Sequence, residues 1–167
     1  MLKAIVVAVG LALSGSALGQ AVEDSTDRFT GARLIKYMNP APSTESQPRI
    51  AAAIQVKDST QTASIAISTV AYSNRSGSSS WRYLRCHTLN WLVDGKPLVM
   101  GRVIHSGDTF RGGVTERIIQ VLEVDQLRQL SSGTLVEYKL CNDEYQLTAD
   151  DLVGFREMLT ALDAPAK

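Results

Sequence analysis

Residues 50–72 read IAAAIQVKDSTQTASIAISTVAY, and this stretch decides the fold. Ile50, Ala52, Ile54 and Val56 alternate with Ala51, Ala53, Gln55 and Lys57. Ala63, Ile65, Ile67, Thr69 and Ala71 then alternate with Ser64, Ala66, Ser68, Val70 and Tyr72. A period of two places one set of side chains on each face of a strand. The Asp58-Ser59-Thr60 turn between the two runs makes them a hairpin with one face in a core.

Further strands follow the same logic. One is expected from Trp81 to Val93. Its apolar parity changes between Leu84, Cys86 and Leu89, Trp91, Val93, which reads as a bulge near His87-Thr88. Asp94-Gly95 is a two-residue hairpin turn. Strands are expected at Leu98–His105, Glu116–Val124 and Leu135–Cys141, with a short segment at Tyr145–Leu147. Arg33–Met38 is a further short strand candidate. Two helices complete the pattern. Asp125 caps a short one over Gln126–Ser132, ended by Gly133. Thr148-Ala149-Asp150-Asp151 is a capping box with Asp in the place of Glu. It opens a helix with Leu152, Phe155, Leu159 and Leu162 on one face. The expected fold is mainly β (α+β). It is an antiparallel meander of six or seven strands, a sandwich or partial barrel, with a short helix and a C-terminal covering helix.

Outside this domain, placed at residues 49–163, the chain reads differently. Met1-Leu2-Lys3, the apolar run AIVVAVGLAL at 4–13 and the small residues after it have the layout of a secretory signal peptide. Cleavage after Gly19 and after Ala21 both fit. A buried N-terminal helix is the alternative. The run is shorter than the ~20 residues that span a bilayer. No transmembrane span is expected once the signal is removed. Residues 20–48, broken by Asn39-Pro40-Ala41-Pro42 and Pro48, read as irregular. An exported, periplasmic or secreted bacterial protein follows, and in an oxidising compartment Cys86 and Cys141 pair as a disulfide. A redox or metal site is the alternative, but it lacks the Cys-x-x-Cys spacing.

The chain has 167 residues, 44% apolar and 20% charged, with 17 basic and 17 acidic side chains. This composition excludes a disordered chain, a disulfide-dense miniprotein and a polytopic membrane protein. Zero net charge argues against nucleic-acid binding. The segments WLVDGKPL, ERIIQVLEVDQLRQL and VEYKLCNDEYQLTADDLVGFREML fall within about residues 84–162. They form a hairpin with an Asp-Gly turn, a strand ending in a small helix, a strand and a closing helix. This layout resembles that of uncharacterised exported bacterial β-sheet proteins. The resemblance carries no functional residue with it.

Catalytic patterns are sparse. A hydrolase would take His105, or His87, as base with Asp108 or Asp94 beside it and a serine as nucleophile. No Gly-x-Ser-x-Gly elbow accompanies them. The same four residues are the only metal-ligand set in the hairpin region, and their spacing does not require convergence. The carboxylate pairs Asp143-Glu144 and Asp150-Asp151 are sequence neighbours, poorly placed to face one another across a cleft. No catalytic residue, metal or cofactor is therefore assigned.

Charge placement is uneven. Residues 28–117 hold 12 basic and 5 acidic side chains, whereas residues 118–167 hold 4 and 9. No acid occurs between Asp58 and Asp94. Arg75, Trp81, Arg82, Tyr83 and Arg85 lie in that gap, beside the polar loop SNRSGSSS at 73–80. Arginine interleaved with aromatics suits a protein partner or an anionic cell-envelope polymer. In a strand Trp81, Tyr83 and Arg85 would share one side and Arg82 the other. The expectation is a non-enzymatic binding module. The alternatives are an inhibitor of a wall-degrading hydrolase and, after it, the histidine hydrolase.

Overall fold

The computed structural model describes residues 22–44, 46–72 and 81–165. The signal layout, both cleavage sites and Arg75 lie outside them. The first four strands form a meander: β1 (Glu23–Thr26), β2 (Arg33–Met38), β3 (Arg49–Lys57) and β4 (Thr60–Tyr72). Then come β5 (Leu89–Val93), β6 (Lys96–Leu98), β7 (Val103–Phe110), β8 (Gly113–Leu122), β9 (Val136–Leu140) and β10 (Asp143–Gln146). Helix α1 (Val124–Ser132) joins β8 to β9, and α2 (Ala149–Asp163) closes the chain. The strands build two antiparallel sheets, ordered β1-β2-β3-β4-β8-β7 and β10-β9-β5-β6. The β-rich α+β sandwich read from the sequence is the observed class.

The large sheet is built around the hairpin of residues 50–72. Its tight turn is Asp58-Ser59, both with positive φ, and it sets Lys57 opposite Thr60. Ile50, Ala52 and Ile54 of β3, Ala63, Ile65 and Ile67 of β4, and Ile118 and Leu122 of β8 are all buried on one face. The small sheet and both helices share one core with that face. Helix α2 lies against β2 and β3. Its Phe155 is fully buried and meets the Tyr37 ring edge-on at 5.8 Å. Gly154 beside it has no Cβ because one would collide with the Tyr37 ring. The expected capping box is present, with Thr148 Oγ1 accepting from the Asp151 N–H and Asp151 Oδ2 accepting from the Thr148 N–H.

Five expectations change. The described residues form ten strands, because short elements carry too little periodicity to be read. Residues 20–48 are not all irregular: β2 is the short strand expected at Arg33–Met38, and β1 precedes it. Every β1 residue is exposed on a sheet edge, so nothing in its composition alternates. The strand expected over Leu98–His105 is two: the chain leaves the small sheet after β6 and enters the large one at β7. The buried Gln120 side chain holds this crossing by donating to the carbonyls of Gly101 and Arg102. Helix α1 starts two residues early, capped by Glu123 and Gln126 in place of Asp125.

The fifth change sets up the site. Residues 81–88 are not strand, and β5 begins at Leu89. The parity change was a sign of this departure and not of a bulge. The Cys86 N–H donates to the Tyr83 carbonyl at 3.1 Å, which closes a β-turn with Leu84 and Arg85 at its centre.

Candidate functional site

The Tyr83–Cys86 turn is held from four directions. The first is Cys86 itself, disulfide-bonded to Cys141 with the Cα atoms 6.0 Å apart. Cys141 sits in the β9–β10 turn, and its N–H donates to the Thr88 carbonyl at 3.0 Å. Removing the bridge by Cys86→Ser with Cys141→Ser should lower stability by about 2–4 kcal/mol. Urea unfolding reads this, and an unchanged midpoint would contradict it.

The second restraint is Glu116. Its even position on β8 points inward with Ile118, Gln120 and Leu122, so a carboxylate lies in the core at 1% exposure. One oxygen accepts from the Arg82 N–H at 2.6 Å, the other from the Tyr83 N–H at 2.9 Å. His105 Nε2 lies 3.0 Å from the second oxygen and donates to it. A buried carboxylate with three donors meets the requirement that buried charge be fully hydrogen-bonded.

Third, the Tyr83 ring is buried, and its hydroxyl donates to Asp143 Oδ2 at 2.9 Å. The Tyr145 hydroxyl, 3.0 Å away, then donates to Tyr83. Arg82 grips the same Asp143 with two bonds of 2.7 and 3.0 Å. Burial pushes the Asp143 carboxyl up, but the bonds from Arg82 and Tyr83 outweigh it and leave it below the usual aspartate range. A lowered folded-state value means stabilisation is complete above the ordinary aspartate pKa and lost as pH falls through the lowered one. Between about pH 5 and pH 2, Asp143→Asn should therefore flatten the fall of stability with acid. An identical slope in wild type and variant would contradict this.

The fourth restraint is a ring stack. His87 Nε2 donates to the Leu84 carbonyl at 3.1 Å. Its ring stacks on His105 with centroids 4.8 Å apart, and Trp81 meets His105 edge-on at 6.1 Å. Gly107 makes room for Trp81, since a Cβ there would collide with the indole and with the Thr115 carbonyl.

The arginine-aromatic set therefore splits. Trp81 is half-buried, Tyr83 is in the core and Arg82 is tied to Asp143. Arg85 is exposed and makes no hydrogen bond or ion pair among the described residues. Beside it stands Leu84, 50% exposed, which the strand reading missed. Glu116 was also missed, although its place in the inward parity of β8 marks it as a buried acid.

The histidines are placed differently from the hydrolase pattern. His105 and Asp108 are three apart on one strand, so they project from opposite faces. The carboxylate beside His105 is Glu116. Asp94 Oδ1 accepts from the backbone N–H groups of Thr134 and Leu135 and from the Thr134 hydroxyl. Among the described residues no hydroxyl bonds to either histidine and no group of three metal-ligating side chains occurs. No described helix is long and apolar enough to cross a membrane. Comparison finds no matching protein family, no matching curated protein and no matching solved structure.

Proposed function

We propose that this chain is an exported, non-enzymatic binding module. It presents the Leu84-Arg85 turn to a protein partner that offers an apolar pocket beside acidic side chains. The observation that carries this is an imbalance of restraint. A disulfide, a buried carboxylate, a buried tyrosine and a histidine stack hold a turn whose exposed Arg85 makes no ion pair among the described residues. Holding a loop in its bound shape removes the ordering cost from association. An apolar anchor next to a cation is a composition found at interface hot spots. The disulfide fits an oxidising, non-cytoplasmic compartment. The basic start, apolar run and small residues at the N-terminus support export.

Arg85, without an ion-pair partner among the described residues, also favours a second reading. A projecting cation suits the cleft of a wall-degrading hydrolase, where two carboxylates flank the scissile bond.

The test uses Leu84→Ala with Arg85→Ala, both exposed and expected to leave stability within about 0.5 kcal/mol. Affinity capture from a periplasmic extract should retain a partner on the wild type. The double variant should bind that partner about 10- to 100-fold more weakly, and the wild-type complex should weaken with salt. Purified lysozymes distinguish the inhibitor reading, because wild type alone should slow them. Equal capture by wild type and variant would overturn the assignment of the turn.

A further inference from the structure

A second site lies on the other side of Tyr145. A cleft of about 360 Å³ opens between the 39–48 loop, β10 and the start of α2. Its volume is in the ~300–1,000 Å³ range of small-molecule sites. The loop wall is fixed by its own bonds. The Asn39 N–H donates to the Ile50 carbonyl at 2.9 Å, Arg49 Nε donates to the Asn39 carbonyl at 2.6 Å, and Thr44 and Gln47 bond each other. The floor is Asp151, 1% exposed, whose two oxygens accept from Tyr37 Oη, Asn39 Nδ2, and the N–H and hydroxyl of Thr148.

The opposite wall is aromatic. Tyr138 and Tyr145 face each other across β9 and β10 with rings stacked 5.2 Å apart. Tyr138 is only 3% exposed, yet its hydroxyl has no hydrogen-bond partner among the described residues. That hydroxyl is not sealed from solvent, since the only sealed side-chain polar atoms without a partner among the described residues are Trp91 Nε1 and Gln120 Oε1. The Tyr138 ring lines this cleft, and it also borders a second hollow beside Asn90, Leu92 and Lys139. Burial raises the Tyr138 phenol, and Tyr145 and Asp151 push it the same way, so the group keeps its proton. The carboxamides of Gln47 and Gln146 line the same cleft and also make no hydrogen bond among the described residues.

The chemistry of the lining narrows the ligand. Among the described residues no lysine or arginine lines the cleft, and two carboxylates do, which disfavours an anion. The four donors on Asp151 occupy it, leaving Asp150 as the one available carboxylate among the described residues, and no group of three metal-ligating side chains occurs there. Both acids sit in the first turn of α2, where the helix dipole offsets their charge. What remains is a phenolic hydroxyl, two amides and one carboxylate beside the apolar Pro48 and Ile50. We infer that the cleft binds a neutral, polyhydroxylated ligand, a saccharide unit of one or two rings. Its hydroxyls would meet Tyr138, Gln47, Gln146 and Asp150, and its C–H face would lie on Pro48 and Ile50.

Titration calorimetry and saturation-transfer NMR with cellobiose, N,N′-diacetylchitobiose and spermidine test this. At least one disaccharide should bind with Kd at or below about 10 mM, insensitive to salt. Tyr138→Phe keeps the ring and should weaken binding about 3- to 30-fold, as should the exposed Gln146→Ala. The Leu84/Arg85 double variant should bind the saccharide like wild type, which separates this site from the turn. The inference is overturned if neither disaccharide binds, if both Tyr138→Phe and Gln146→Ala bind unchanged, or if spermidine binds in their place.

Discussion

Glu116→Ala should destabilise the protein by about 3–5 kcal/mol, the scale measured when one member of a buried charge pair is removed. The reason is what stays behind. The Arg82 and Tyr83 N–H groups and His105 Nε2 would lose their acceptor at a position now 1% exposed. Each buried donor left without a partner costs about 1–3 kcal/mol. The loss is a large part of the ~5–15 kcal/mol that separates folded from unfolded domains. Glu116→Gln should cost less, about 1–3 kcal/mol, because its carboxamide keeps one acceptor oxygen but turns an NH₂ toward a donor. Urea unfolding gives the totals, and amide exchange at Arg82 and Tyr83 shows where protection is lost. Unchanged exchange there in Glu116→Ala would show that the carboxylate does not hold the turn.

Phe155→Ala should cost a similar amount, about 3–5 kcal/mol, by another route. The ring is fully buried between α2 and the large sheet, edge-on to Tyr37. Truncation removes its burial, breaks the aromatic pair and leaves a cavity. The cavity closes poorly because β2 and β3 are fixed in the sheet by their own ladders. Phe155→Leu refills most of the volume and should cost less than about 1.5 kcal/mol. The two alanine variants differ in where they act. Phe155→Ala should lower protection throughout the core while Arg82 and Tyr83 still follow global unfolding. A loss under about 1 kcal/mol would show the helix face to be peripheral.

What the sequence disclosed follows physical range. The β3–β4 hairpin, the Asp94-Gly95 turn and the α2 cap each rest on residues within a few positions of one another. The disulfide was legible from composition, since two cysteines in an oxidising compartment have one pairing. Residues 81–88 failed as a strand because their conformation is set from 33 and 34 positions away, by Glu116. Local periodicity cannot register such a tether. The site inherited the error. Arginine and aromatic composition drew attention to this segment, but a strand assigns side chains by alternation and a turn does not. Leu84 is therefore displayed while Tyr83, its neighbour, is buried. The cleft was not legible, because Tyr138, Gln47 and Asp150 meet only through the order of β9 and β10 and the return of the 39–48 loop.

The claim that most needs testing is that the Leu84-Arg85 turn is held ready and is not merely a connector. Backbone ¹⁵N relaxation of the free protein measures this without any partner. The account predicts order parameters of about 0.85 for the Leu84 and Arg85 amides, equal to the flanking strands, falling in Glu116→Ala. Values below about 0.6 in the wild type would mean that the restraints do not reach the turn, and would contradict the account.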